Sequence, residues 1–169
     1  MTMDRITAHG RVDARLVSPA GGSRLVSAGH NTIMHACADA VARLFSGDAS
    51  ARPAKIGFVV GATDGLGTAF AFAGGDDERG KSQDDIVGDG LSVTDVAISP
   101  NPLFSADDGY SGNKVTLSAL LGAADSTEYV YGFLLKDAGG GVLAVRKLDS
   151  AITHTTGYGV AASWTVTFT

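Results

Sequence analysis

The chain has one cysteine, Cys37, which excludes an internal disulfide framework and any cysteine-based zinc knuckle. Charge is also scarce. Asp, Glu, Lys and Arg make up 18% of the residues, and thirteen basic against eighteen acidic side chains leave a formal charge of −5 with no basic block. A protein that tracks phosphates needs a positive stripe, so the composition argues against nucleic acid as a partner. A basic amphipathic helix for a membrane surface is missing, and no apolar run approaches the roughly eighteen residues of a membrane span. Met1 to Gly10 carries polar and charged residues where a signal peptide would have an apolar stretch. These absences point to a chain made and kept in the cytoplasm unless it leaves as part of an assembly. The four histidines, His9, His30, His35 and His154, include no HxH or HxxxH pair, so no metal site is legible. No Gly-x-Ser-x-Gly nucleophile elbow is present.

What remains is the raw material of one domain. At 169 residues with 44% hydrophobic composition, a chain of this size buries roughly 70% of its unfolded surface and needs no staples. Glycine is abundant, at 23 residues. A surface this poor in charge hints that neighbours cover part of it.

Arg11 to Ser18 alternates apolar Val12, Ala14 and Leu16 with charged residues, and Arg24 to Ala28 follows the turn Pro19-Ala20-Gly21-Gly22. That pattern predicts a β-hairpin. From Asn31 to about Ser46 the period becomes helical: Ile33, Met34, Cys37, Val41, Leu44 and Phe45 form one apolar stripe, with His30 and Asn31 in capping position and Ser46-Gly47 as the stop. The stripe is expected to face the core, with Cys37 a small buried residue and not a reactive thiol. Lys55 to Val60 reads as a buried strand. Leu91 to Ser99, Lys114 to Leu121, Tyr129 to Lys136, Val142 to Leu148 and Tyr158 to Phe168 read as further strands, with Trp164 as a core anchor. Pro100-Asn101-Pro102, Asp107-Asp108-Gly109 and Ser111-Gly112-Asn113 mark turns.

Residues 65 to 90 break the pattern. They hold seven glycines, the acidic runs Asp76-Asp77-Glu78 and Asp84-Asp85, and one apolar patch around Phe70 and Phe72. A stretch of this kind is expected to be a long loop or arm that becomes ordered by lying on a partner chain, Phe70 and Phe72 being its adhesive part. The fold class is therefore mainly β, an antiparallel sandwich or barrel with one packed helix at about 31–46.

Two motifs imitate catalysis. Gly61-Ala62-Thr63-Asp64-Gly65-Leu66-Gly67 after a strand resembles the nucleotide-binding turn of short-chain dehydrogenases, and Tyr110 to Lys114 supplies a Tyr-x-x-x-Lys. The Tyr and Lys would have to lie one turn apart on a helix, but Gly112 and Asn113 stand between them, and the downstream sequence alternates with period two. Asp107 to Asn113 lacks the spaced carboxylates and closing glutamate of a calcium loop, and adjacent acids at 76–78 and 84–85 cannot hold the fixed separation of glycoside hydrolysis. No catalytic residue, cofactor or metal is assigned, and the chain is read as not an enzyme.

Asn31-Thr32-Ile33, then Ala40-Val41-Ala42-Arg43-Leu44-Phe45-Ser46-Gly47, and the strand Lys55 to Gly61 form one block of features. Tyr131-Gly132-Phe133-Leu134, Gly141 to Leu148 and Trp164-Thr165-Val166-Thr167-Phe168 form another. In this order they resemble small β-rich structural proteins of tailed-bacteriophage virions. The resemblance implies a non-enzymatic subunit of the tail, collar, baseplate or fibre apparatus, made in the host cytoplasm and localised to the virion. Other virion proteins and further copies of itself, as a trimer or ring, would be its partners. Phe70, Phe72, Asp76, Asp77, Glu78, Asp84 and Asp85 are the candidate partner-contacting residues. The alternatives are a capsid decoration protein and a carbohydrate-binding adhesion module.

Overall fold

The computed structural model describes residues 7–99 and 109–169. The turns expected at Pro100 to Pro102 and at Asp107-Asp108 lie outside them. Within them the chain is mainly β: β1 (Ala8–Val17), β2 (Ser23–Ile33), α1 (His35–Phe45), β3 (Pro53–Gly61), α2 (Gln83–Ile86), β4 (Leu91–Ala97), β5 (Gly109–Ser111), β6 (Lys114–Leu121), β7 (Glu128–Asp137), β8 (Val142–His154) and β9 (Gly159–Phe168). One antiparallel sheet runs in the order β4-β3-β7-β8-β2-β1-β9-β6-β5. Irregular registers at Ala14/Arg15, Val59/Val60 and Val130/Gly132 bend it. The sheet curls until the end of β4 meets β6, where the Ser99 N–H donates to the Ser118 carbonyl at 3.0 Å. Of the sandwich and the barrel, the fold is a nearly closed barrel.

Period-two alternation sends Val12, Ile56, Phe58, Phe133, Ala162 and Trp164 into the interior. Phe58 and Phe133 meet edge to face, with centroids 5.4 Å apart and planes at 85°. Trp164 is fully buried, as an anchor should be, but its indole N–H has no hydrogen-bond partner. The β1–β2 hairpin turns as its sequence suggests, with Gly21 at φ +85°, and Gly112-Asn113 link β5 to β6.

Three elements depart from expectation. The helix begins at His35, not at Asn31, because Thr32 and Ile33 pair with Val145 and Ala144 of β8 and are held as strand. Met34 is therefore the N-cap, without a side-chain cap, and His30 and Asn31 belong to β2. Residues 65 to 90 are not bare loop: they contain α2 and two 3-10 turns, at Leu66–Thr68 and Asp76–Glu78. Where a nucleotide-binding turn would lead into a helix, the chain makes only the first of these turns. β8 also runs six residues past Leu148, because Glu128 to Val130 of β7 pair with its far end.

Candidate interaction surface

The arm at 65–90 lies on the outside of the barrel, against its own sheet. Residues alternating away from the interior, Val59 of β3, Tyr131 and Leu134 of β7, and Val142 and Val145 of β8, form a second core with Phe70, Phe72, Ile86 and Met34. Phe70 is completely buried and Phe72 nearly so. This corrects the expectation for both rings: they are spent inside the chain and offer nothing to a partner. The physical reason is that β3, β7 and β8 are apolar on both faces, and the arm covers the second face.

Long polar side chains from the sheet fasten the arm down. The Tyr131 hydroxyl donates to the Thr63 carbonyl at 2.7 Å and accepts from the Leu66 N–H at 3.1 Å. Lys147 donates to the Phe70 carbonyl at 2.6 Å. Lys136, buried among these elements, donates to the Gln83 side chain at 2.9 Å and to both oxygens of Asp95 at 2.8 and 3.0 Å. Arg79 Nε donates to the Ile33 carbonyl at 2.7 Å, tying the arm to the start of α1.

The acidic candidates divide. Glu78 accepts from the N–H groups of Ala73 and Gly74 at 2.6 and 2.8 Å and from Lys81 at 2.7 Å. The Lys81 bond, with these amides, holds its carboxyl down at about 2. Asp85 closes a capping box with Ser82, whose hydroxyl and N–H both lower its pKa. Glu78 and Asp85 are thus internal fasteners. Asp76, Asp77 and Asp84 stay exposed; Asp76 has 98% of its side chain in solvent and stands 3.5 Å from Arg79.

Among the described residues, single large apolar side chains are exposed at Leu25 of β2 and Leu120 of β6, and three lie together on α1, Phe45 being the most exposed of all. The inward contact of α1 is Ala40, packed on the interior core beside Cys37, Ile33 and Leu143. Cys37 is only half-buried, and that burial raises its thiol pKa. The rest of the expected stripe divides: Met34 is buried in the second core, while Val41 is 37% exposed, Leu44 40% and Phe45 90%. The helix end is rigidly set. The Ser46 hydroxyl donates to the Arg43 carbonyl at 2.7 Å, and Gly47 turns the chain at φ +92°. Arg43 clasps Asp48 through Nε and Nη2 at 2.9 and 2.8 Å. The Ser50 hydroxyl at 2.6 Å, followed by Arg43, holds the Asp48 carboxyl at about 2.

Beside the N-terminal half of α1 opens a groove of about 970 Å³. Ile33, Met34, Cys37, Val41 and Phe168 supply apolar lining; His9, His30, His35, Asp76 and Arg79 supply polar lining. Thus His9 of β1, His30 of β2 and His35 of α1 share one rim, although among the described residues no group of three or more His, Cys, Asp or Glu is placed to hold a metal. The fourth, His154, is buried at the end of β8. Its Nε2 lies 2.7 Å from the Tyr158 carbonyl and its Nδ1 2.8 Å from Glu128. A carbonyl only accepts, so Nε2 carries a proton, and the ring ties β7, β8 and the turn before β9 together. Among the described residues no helix is long and apolar enough to cross a membrane.

Sequence reasoning placed the apolar residues of α1 on one stripe and missed that its C-terminal part, Val41, Leu44 and Phe45, turns outward. In the comparisons with known proteins, no family model matches the chain, nor does any curated protein or solved structure.

Proposed function

We propose that the chain is a non-enzymatic structural subunit of a tailed-phage virion, built into the tail, collar, baseplate or fibre apparatus through protein–protein contacts made by the α1 face. The observation that carries the reading is the outward apolar stripe Val41-Leu44-Phe45 beside an apolar groove. A neighbouring protein that covered Phe45 would remove one of the largest apolar side chains from water, a gain of about 1.5–3 kcal/mol for a ring of this size. The virion class comes from the sequence resemblance, whose residues include this helix. The barrel suits such a role: a stiff scaffold with a fixed helix presents one surface without adjustment.

The test is fractionation of purified phage particles into heads and tails, with the chain quantified by mass spectrometry in each. A fixed copy number in the tail fraction supports the reading, and Phe45→Asp should lower that copy number. Recovery on heads alone would move the chain to the capsid-decoration role. Absence from particles would overturn the virion reading.

A further inference from the structure

We infer that a second copy of this chain completes the α1 face, in a two-fold pair in which the Phe45 ring of each protomer seats in the groove of the other. The inference rests on the reading of α1 as an assembly surface and names its occupant.

The first argument is shape. Ala38, Val41, Ala42 and Phe45 follow the i, i+3, i+4, i+7 rule and form one uncharged stripe. Phe45 projects at its C-terminal end, 90% exposed. The groove opens at the other end, where Cys37, Ala38 and Val41 line it. Seven residues of helix put the projection and the hollow about 10 Å apart on the same face. A two-fold axis passing near Val41 turns one helix antiparallel to the other, so each Phe45 meets the partner's Cys37 and Ala38 in both directions at once. Ala38 and Ala42, with no bulk beyond Cβ, let the two helices approach closely. Knob and hollow carried together on one patch form the self-complementary surface that an isologous contact requires.

The second argument is charge. The groove sits at the N-terminal, electropositive end of α1, and inside it Arg79 and the lone acid, Asp76, pair with each other at 3.5 Å, so the helix end sets its polarity. Phe45 sits at the electronegative C-terminal end. Antiparallel docking therefore brings unlike helix ends together at both contacts. The helix's charged residues Asp39 and Arg43 lie about 160° around the helix from Val41 and need not be desolvated.

Light scattering over a concentration series, on the intact chain, is the first test. The wild type should approach twice the 17.1 kDa chain mass. Phe45→Asp should stay near the chain mass and melt where the wild type melts when diluted to the single chain, since the Phe45 ring stands almost wholly in solvent in its own chain. Ala38→Trp, which fills the hollow, should do the same from the other side. The lone Cys37 gives a positional check. In Phe45→Cys, mild oxidation should link the introduced thiol of one chain to Cys37 of another, a bond identified by peptide mapping. The two positions are about 12 Å apart within one helix, out of reach of a disulfide in the same chain. A dimer that survives Phe45→Asp would overturn this pairing and leave assembly to another face. A trimer or ring that needs Phe45 would replace the two-fold contact by head-to-tail insertion and overturn it too. A wild type that stays at the chain mass throughout overturns self-pairing, while the particle fractionation decides the virion reading separately.

Discussion

The arm at 65–90 and helix α1 are the two apolar attachments on the outside of the barrel, and their sequences suggest opposite fates. The arm is rich in glycine and acid, with two aromatic rings, and reads as an unfastened strap. The helix has a clean stripe and reads as core. In the structure the strap is the buried element: Phe70 and Phe72 lie in a closed second core, while α1 commits only Ala40 fully to the barrel and leaves Phe45 in water. The difference teaches that amphipathic period says a surface exists and not what it faces. The destination is set by which sheet face is still uncovered when the strands have paired.

The largest effects should come from emptying the two cores. Trp164→Ala should cost about 3–5 kcal/mol and lower the melting transition of the whole barrel. Phe70→Ala should cost a comparable amount, but hydrogen exchange should show the loss concentrated at 66–90 with the strands still protected. If the arm were an exposed strap, Phe70→Ala would leave both stability and exchange unchanged. Next in size is Gly132→Ala, where a Cβ would run into the Phe70 ring and the Arg146 carbonyl. Overpacking at that seam should cost about 1–3 kcal/mol in denaturant unfolding.

Lys136→Met is expected to remove roughly 1–2 kcal/mol, because the ammonium binds Gln83 and Asp95 while its stem packs under the arm. Faster exchange should appear at 83–87 before anywhere in β7. The smallest effect is that of acid. The Glu78 carboxyl is held near 2, below its ordinary 4.5, so its contribution is complete above about pH 4.5 and is lost as pH falls toward 2. The 73–78 turn should loosen over that window, and Glu78→Gln should abolish the dependence; carboxyl titration by NMR checks both. Asp48, also held near 2, predicts the same sign at the exit of α1.

Strand positions were legible because period two survives in Val12-Asp13-Ala14 and in Trp164-Thr165-Val166, each with one face inside. The arm's destination was written elsewhere in the sequence. Phe58-Val59-Val60 and Val130 to Leu135 are apolar without alternation, the mark of strands covered on both sides, and residues 65–90 are what covers them. The fasteners Lys136, Lys147 and Tyr131 could not be found in this way, since each is a polar residue in a strand whose partners lie more than forty residues away. The helix start was misplaced because Thr32 and Ile33 fit either element until β8 claims them. The groove was invisible for a related reason: Ala8, His30, Cys37 and Phe168 come together only through the β2-β1-β9 pairing.

Hydrogen exchange on the wild-type chain, read at low and high protein concentration, sets the two attachments against each other most directly. Amides that hold the arm, such as Ala71 bonded to Ile86 and Gly88 bonded to Ala69, should be protected already in dilute solution and unaffected by concentration. Protection in α1 and at the groove should rise as the chains associate. An arm that exchanges freely when dilute and slows only on association, with α1 indifferent, would contradict this and return the contact surface to Phe70 and Phe72.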